Sequence, residues 1–137
     1  VPHPDTVPAL RALRDAGLAV LALSNSSAAT LRAQLEHARL TPLITGAISV
    51  EQIGLYKPNP HVYRWAARQA GSDLCDCWLL AAHEWDTSGA LQAGFKAADI
   101  HRGPTPAEHS NPQPQFIARD LLDAARRIIA NETCSGT

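Results

Sequence analysis

Three short polar clusters carry the groups best suited to chemistry: Ser24-Asn25, Lys57, and His83 with Asp86. Ser24 and Asn25 offer a hydroxyl and an amide, a pairing able to hold a carboxylate or phosphate oxygen by hydrogen bonds. Taken alone they read more readily as a capping loop, because Ser and Asn are usual helix-start residues. Lys57 lies in Leu55-Tyr56-Lys57-Pro58-Asn59-Pro60, where the prolines restrict the backbone and suit the entry to a helix. A lysine fixed at that junction holds a positive charge in a pocket; the plainer alternative is a solvated surface lysine. Asp86 is either a cap on the next helix or a carboxylate partner for Lys57, a pair able to orient a nucleophile or activate water. His83 offers an acid or base, although a lone histidine is more often a hydrogen-bonded structural residue.

Each cluster follows a short apolar segment, and the elements between them set their positions. Asp5 or Thr6 is placed to cap a helix with Val7, Leu10 and Leu13 on one face, ended by Gly17. The apolar run Leu18–Leu23 predicts a strand buried on both faces, and Ser26 or Ser27 a cap for the helix of Leu31, Leu35 and Ala38. Ala47–Val50 predicts a second strand, followed by the Lys57 loop and a helix from Asn59 to Gln69. The pattern repeats with a buried strand over Cys77–Ala82, a polar exit through His83–Asp86, and a helix from Thr87 to Ala93 before Gly94. Lys96–Ile100 and Gln115–Ala118 are weaker strand signals, separated by a loop rich in Pro, Gly, Ser and Asn over His101–Pro114. A last helix, Asp120–Ile129, turns Leu121, Leu122, Ala125 and Ile128 inward, with fraying expected after Ala130. Strands alternating with helices predict an α/β fold whose parallel sheet is covered on both faces. In such sheets the functional loops follow the carboxyl ends of the strands, which is where all three clusters fall.

Composition narrows the partners. At 137 residues and 45% hydrophobic content the chain fits one domain, expected as a core over 1–130 with a frayed tail at 131–137. A net charge of −1 supplies no basic field for nucleic acid and no polybasic membrane patch, so a small-molecule substrate is expected. No apolar run is long enough to cross a bilayer. The three cysteines match no common zinc or thioredoxin spacing and read as reduced thiols of a cytoplasmic protein. The chain opens on Val1 and contains no methionine, which is expected of a segment of a longer polypeptide.

The ordered set Leu23-Ser24-Asn25-Ser26-Ser27, Ser49-Val50, Tyr56-Lys57-Pro58 with Val62-Tyr63, and Trp85-Asp86 with Gly89-Ala90 and Gly94-Phe95 resembles the haloacid dehalogenase superfamily. Within it the likeness is closest to the type II 2-haloacid dehalogenases, and it extends from Pro2 to Ile129. The resemblance implies a Rossmann-like core whose nucleophile is an aspartate on the first strand, attacked in turn by water after it has formed an ester. It further implies that Lys57 stabilises the charge of the nucleophile and that Asp86 pairs with Lys57 and positions the hydrolytic water. Ser24 and Asn25 would hold the substrate carboxylate or neighbouring groups, and Tyr63 would shape the pocket.

Departures from the family pattern set further expectations. No Asp-x-x-x-Thr segment on an apolar strand precedes Ser24, so the chain is expected to represent the core without its first strand, nucleophile and cap. An exposed sheet edge and self-association through it would follow. Ala81 and His83 stand where the dehalogenase branch tends to have serine and asparagine, so two polar contacts are altered. Ala82 stands where magnesium-dependent phosphatases of the superfamily carry an acid, which leaves a hard cation poorly served; no metal and no cofactor are expected. The function expected is hydrolysis of a carbon–halogen bond in a small 2-haloacid once the nucleophile is present. A non-catalytic remnant or interaction module is the alternative, and a phosphatase the third. On this reading Lys57→Ala removes turnover and leaves folding largely intact.

Overall fold

The computed structural model describes residues 3–103 and 113–135. Its elements run α1 (Thr6–Asp15), β1 (Leu21–Ser24), α2 (Ala28–His37), β2 (Gly46–Ser49), α3 (Pro60–Ala70), β3 (Trp78–Ala81), α4 (Glu84–Ala93), β4 (Lys96–Ile100), β5 (Phe116–Ala118) and α5 (Leu121–Ser135). This is the expected α/β order. Every strand pair is parallel, with Leu21 opposite Gly46, Trp78 opposite Lys96 and Ala98 opposite Phe116.

The strands form two sheets, β1-β2 and β3-β4-β5, and β1 and β3 do not pair with each other. Helices cover both faces. Leu79 packs with Leu23 against Tyr63, Ala67, Ala90, Ala93 and Phe95 of the α3–α4 layer. Its neighbour Leu80 packs instead with Ile100, Ala118 and Ala124 beside Leu121 of α5. Successive strand residues point to opposite faces, so these two clusters lie on opposite sides of the sheet. The second face continues through Ala9, Leu13 and Ala125, which hold α1 against α5 and receive Leu18 and Val20.

Several expectations are corrected. The strands expected to be buried on both faces, β1 and β3, are half-buried along their whole length. Among the described residues each pairs with a strand along one edge only. β1 begins at Leu21 rather than Leu18, because Gly17 and Leu18 are still closing the end of α1 through bonds to Arg14 O and Leu13 O. Asp5 is the N-cap of α1 by position but makes no capping bond. Its carboxylate instead accepts from Arg102 Nη1 at 2.6 Å and from Leu121 N–H at 2.7 Å, joining α1, the exit of β4 and the start of α5. Helix α4 starts at Glu84, not Thr87, which places Asp86 in its first turn. Helix α5 runs past Ala130 to Ser135, while 136–137 of the expected tail and 104–112 of the expected loop lie outside the described residues. Cys75 and Cys77 are free thiols, and the side chain of Cys134 lies outside the described set. No described helix is long and apolar enough to cross a membrane.

Candidate functional site

Lys57 reaches the site from a loop fixed at its far end by helix α3. Asn59 caps that helix, its Oδ1 accepting His61 N–H at 3.0 Å, and Pro60 occupies the first turn, where no N–H is needed. On the other side, α4 approaches this loop so closely that a Cβ on Gly89 would sit 2.6 Å from the Pro58 carbonyl oxygen and 2.9 Å from the Tyr63 ring. Only glycine permits that approach.

The ammonium of Lys57 donates to Asp86 Oδ2 at 2.7 Å and to the Leu23 carbonyl, at the tip of β1, at 3.3 Å. Both partners are shielded, with side-chain exposures of 11% for Lys57 and 8% for Asp86. Tyr63 fixes the other carboxylate oxygen: its hydroxyl lies 2.5 Å from Asp86 Oδ1 and 3.0 Å from the Asp86 carbonyl. Burial, reinforced by the Asp86 hydrogen bond and charge, pushes the Tyr63 phenol far above its ordinary range, so it acts as a donor. Asp86 therefore has both oxygens set in direction by fixed donors, and the first turn of α4 places its charge at the favourable end of a helix dipole.

The remaining candidates surround this pair unequally. The exposed Asn25 turns its side-chain amide onto the Lys57 backbone, accepting Lys57 N–H at 2.9 Å and donating to Lys57 O at 3.4 Å. Ser24 Oγ accepts Ser26 N–H at 3.0 Å, which bends the chain out of β1 toward the Ser27 cap of α2. His83 is the exposed N-cap of α4, makes no capping bond, and stacks on Trp85 with ring centroids 5.7 Å apart. The indole of Trp85 also lies 5.8 Å from the Lys57 ammonium and is 47% exposed, at the rim of the site. Tyr63 is fully buried, so it shapes the site from beneath through Asp86. Lys57, Asp86, Tyr63 and Asn25 thus form one connected network, with Ser24 and His83 on its border.

The roles of three contributors escaped sequence reasoning, although Ser49 and Gly89 belong to the motifs that carry the resemblance. The Leu23 carbonyl is invisible in a sequence, since every residue carries one. Ser49, 2% exposed, donates to Ser26 O at 2.6 Å and accepts Glu51 N–H, bracing the β1 exit from β2. Gly89 had a signal, a glycine inside a helical stretch, which often marks a close backbone approach. A groove between α2 and the edge of β2, lined by Leu31, Leu35, Glu36, Ile44 and Gln52, lies apart from the Lys57–Asp86 network. Among the described residues no group of three or more His, Cys, Asp or Glu is placed to hold a metal ion.

Comparison with known proteins gives the family. Residues 1–94 match the family model of haloacid dehalogenase-like hydrolases. The chain is 35% identical over 108 residues to (S)-2-haloacid dehalogenase 1 of Pseudomonas sp. (strain CBS-3), a match covering 79% of this chain and 48% of that protein. It is 30% identical to (S)-2-haloacid dehalogenase 4A of Burkholderia cepacia, covering 78% of this chain and 46% of the relative. The crystal structure of the L-2-haloacid dehalogenase RSc1362 superposes with a TM-score of 0.85 at 30% identity, over 92% of this chain and 56% of the other. The chain therefore spans about half the length of the curated relatives it matches.

Proposed function

The chain belongs to the haloacid dehalogenase-like hydrolases, and on that footing we propose that it supplies the Lys57–Asp86 part of an active site that hydrolyses the carbon–halogen bond of a small 2-haloacid. The observation carrying this reading is the shielded Lys57–Asp86 pair at 2.7 Å, oriented by Tyr63 and set at the strand tips. Such a pair has little use as a surface ornament. A buried ion pair is costly to desolvate and contributes weakly to net stability, so its fixed geometry is better accounted for by chemistry.

In the proposed reaction an aspartate carboxylate attacks the halogen-bearing carbon. A carbon–oxygen bond forms, the carbon–halogen bond breaks, and the halide leaves with the electron pair. Water then attacks the ester carbonyl, regenerating the carboxylate and releasing the 2-hydroxy acid and a proton. Lys57 holds the charge of the attacking carboxylate in place. Asp86, its direction fixed by Tyr63, orients the water and takes up its proton on the way to solvent. The aspartate would be carried on a further parallel strand lying between β1 and β3, which do not pair with each other. Its carboxyl end would then lie beside Ser24 and the Leu23 carbonyl that holds Lys57. Ser24 and His83 are placed to meet the substrate from the border, and Trp85 offers an apolar wall to its alkyl part. The names of the relatives support the substrate class, since those proteins are (S)-2-haloacid dehalogenases.

Halide release tests this reading. The full polypeptide that includes the nucleophile is expected to release halide from one enantiomer of 2-chloropropionate and to yield lactate. Lys57→Met is expected to lower the rate by at least a hundredfold, on the scale of losing an electrostatic stabiliser. Release from neither enantiomer, or an unchanged rate in Lys57→Met, would remove the assignment.

A further inference from the structure

Asn25 has a side-chain amide with one accepting and one donating end, and both are directed at the main chain of residue 57. This is an arrangement like one rung of a sheet ladder, made by a side chain. It spans 32 residues of sequence and ties the tip of β1 to the Lys57 loop. That loop has few other anchors near the lysine: its main-chain bonds run from Gly54 back to Val50 and from Asn59 back to Tyr56, on either side of Lys57. Two residues before Asn25, the Leu23 carbonyl accepts from the Lys57 ammonium. The β1 tip therefore grips Lys57 at both ends, the backbone through Asn25 and the charged head through Leu23.

We propose that Asn25 is a positioning residue that mounts Lys57 on β1 and so fixes the direction of its ammonium toward Asp86. The proposal rests on the role given to Lys57 above and gives the Asn25 amide a use besides the expected one of holding the substrate carboxylate or neighbouring groups. With Oδ1 and one N–H of Nδ2 turned onto residue 57, the amide is oriented by the lysine backbone and keeps its second N–H for other contacts. A flexible four-carbon stem starting from an untethered loop would sample many ammonium positions. A stem starting from a fixed Cα samples few, and alignment at the ångström level governs the rate of a positioned group.

The test compares the full polypeptide as wild type, Asn25→Ala and Asn25→Asp, with two readouts. Amide hydrogen exchange at Lys57, followed by NMR, reads the clamp without reference to any reaction. Steady-state kinetics on 2-chloropropionate read its consequence. Asn25→Ala is expected to speed Lys57 exchange about tenfold or more at an unchanged unfolding midpoint. Its kcat is expected to fall roughly tenfold to a hundredfold with KM unchanged. Asn25→Asp keeps an acceptor for Lys57 N–H and is expected to restore slow exchange and most of kcat. Unchanged exchange in Asn25→Ala overturns the proposal, as does a loss expressed in KM alone, which would put the amide on the substrate. Should the wild type release no halide, the dehalogenase reading fails by itself. The exchange measurement still decides the clamp, fast exchange in Asn25→Ala sustaining it and unchanged exchange overturning it.

Discussion

The shielded contact between Lys57 and Asp86 changes what a substitution there should do. From residue types alone, Lys57→Ala removes charge and spares the fold. In the structure the same change leaves Asp86, 8% exposed, without its cationic partner. Removing one member of a buried pair costs about 3–5 kcal/mol, because the remaining charge stays desolvated. Lys57→Met is thus expected to lose stability of that order in urea unfolding, while Lys57→Met with Asp86→Leu recovers most of it. The hydroxyl of Tyr63 would keep the Asp86 carbonyl as its acceptor in the double variant. If the double variant is less stable than Lys57→Met, the pair is not the source of the cost. Tyr63→Phe should cost about 1–3 kcal/mol, the range for leaving a buried acceptor without its donor. The identities of Lys57 and Asp86 were legible in the sequence because charged groups announce their chemistry, and Tyr63 entered only through the family resemblance, as a residue that shapes the pocket. The targets of those groups were not legible: nothing local to Asn25 shows that its amide turns to a residue far along the chain.

Among the elements, α4 bears most on the site, because it carries Asp86 and presses Gly89 against the Lys57 loop. A methyl at Gly89 would meet backbone at Pro58 O, which cannot move aside as a flexible side-chain end can. Gly89→Ala is expected to destabilise the fold by about 1–3 kcal/mol, the usual range for overpacking. It should also displace the Lys57 loop, visible as shifted NMR signals of Lys57 and Asn59. Unchanged signals and stability would contradict the close approach. The start of α4 was misplaced from sequence for a physical reason. His83, Glu84 and Asp86 look like a polar loop, yet acids in a first turn are stabilised by the helix N-terminus. The end of that helix was legible, since Gly94 adopts φ +111° and terminates it as a left-handed C-cap.

For the whole molecule, long-range ties decide what a linear reading misses. The runs behind β1 and β3 are apolar enough to read as central strands, and pairing order is a property of distant segments, so the separation of the two sheets had no signature in those runs; the expectation of an exposed edge came from the family resemblance. The Asp5 staple is of the same kind. Burial pushes its carboxyl up, but the hydrogen bonds from Arg102 and from Leu121 N–H outweigh that and hold it below the usual carboxylate range. Asp123, which accepts Arg119 N–H and faces Arg127, is lowered as well. A carboxyl depressed in the folded state contributes stability that is complete above its unfolded value, about 3.9, and is lost as pH falls through the folded value. The unfolding midpoint should therefore drop on acidification below about pH 4, and Asp5→Asn should flatten that drop while lowering the midpoint at pH 7. A variant with the wild-type slope would remove Asp5 as a source. The most direct measurement of the central claim uses the full polypeptide carrying Asp86→Asn, mixed with 2-chloropropionate, with halide counted and the protein weighed by mass spectrometry. The account predicts a burst of about one halide per active site and an ester retained on an aspartate, because the water that should cleave it is no longer directed. Sustained release at the wild-type rate with no protein-bound ester would contradict it.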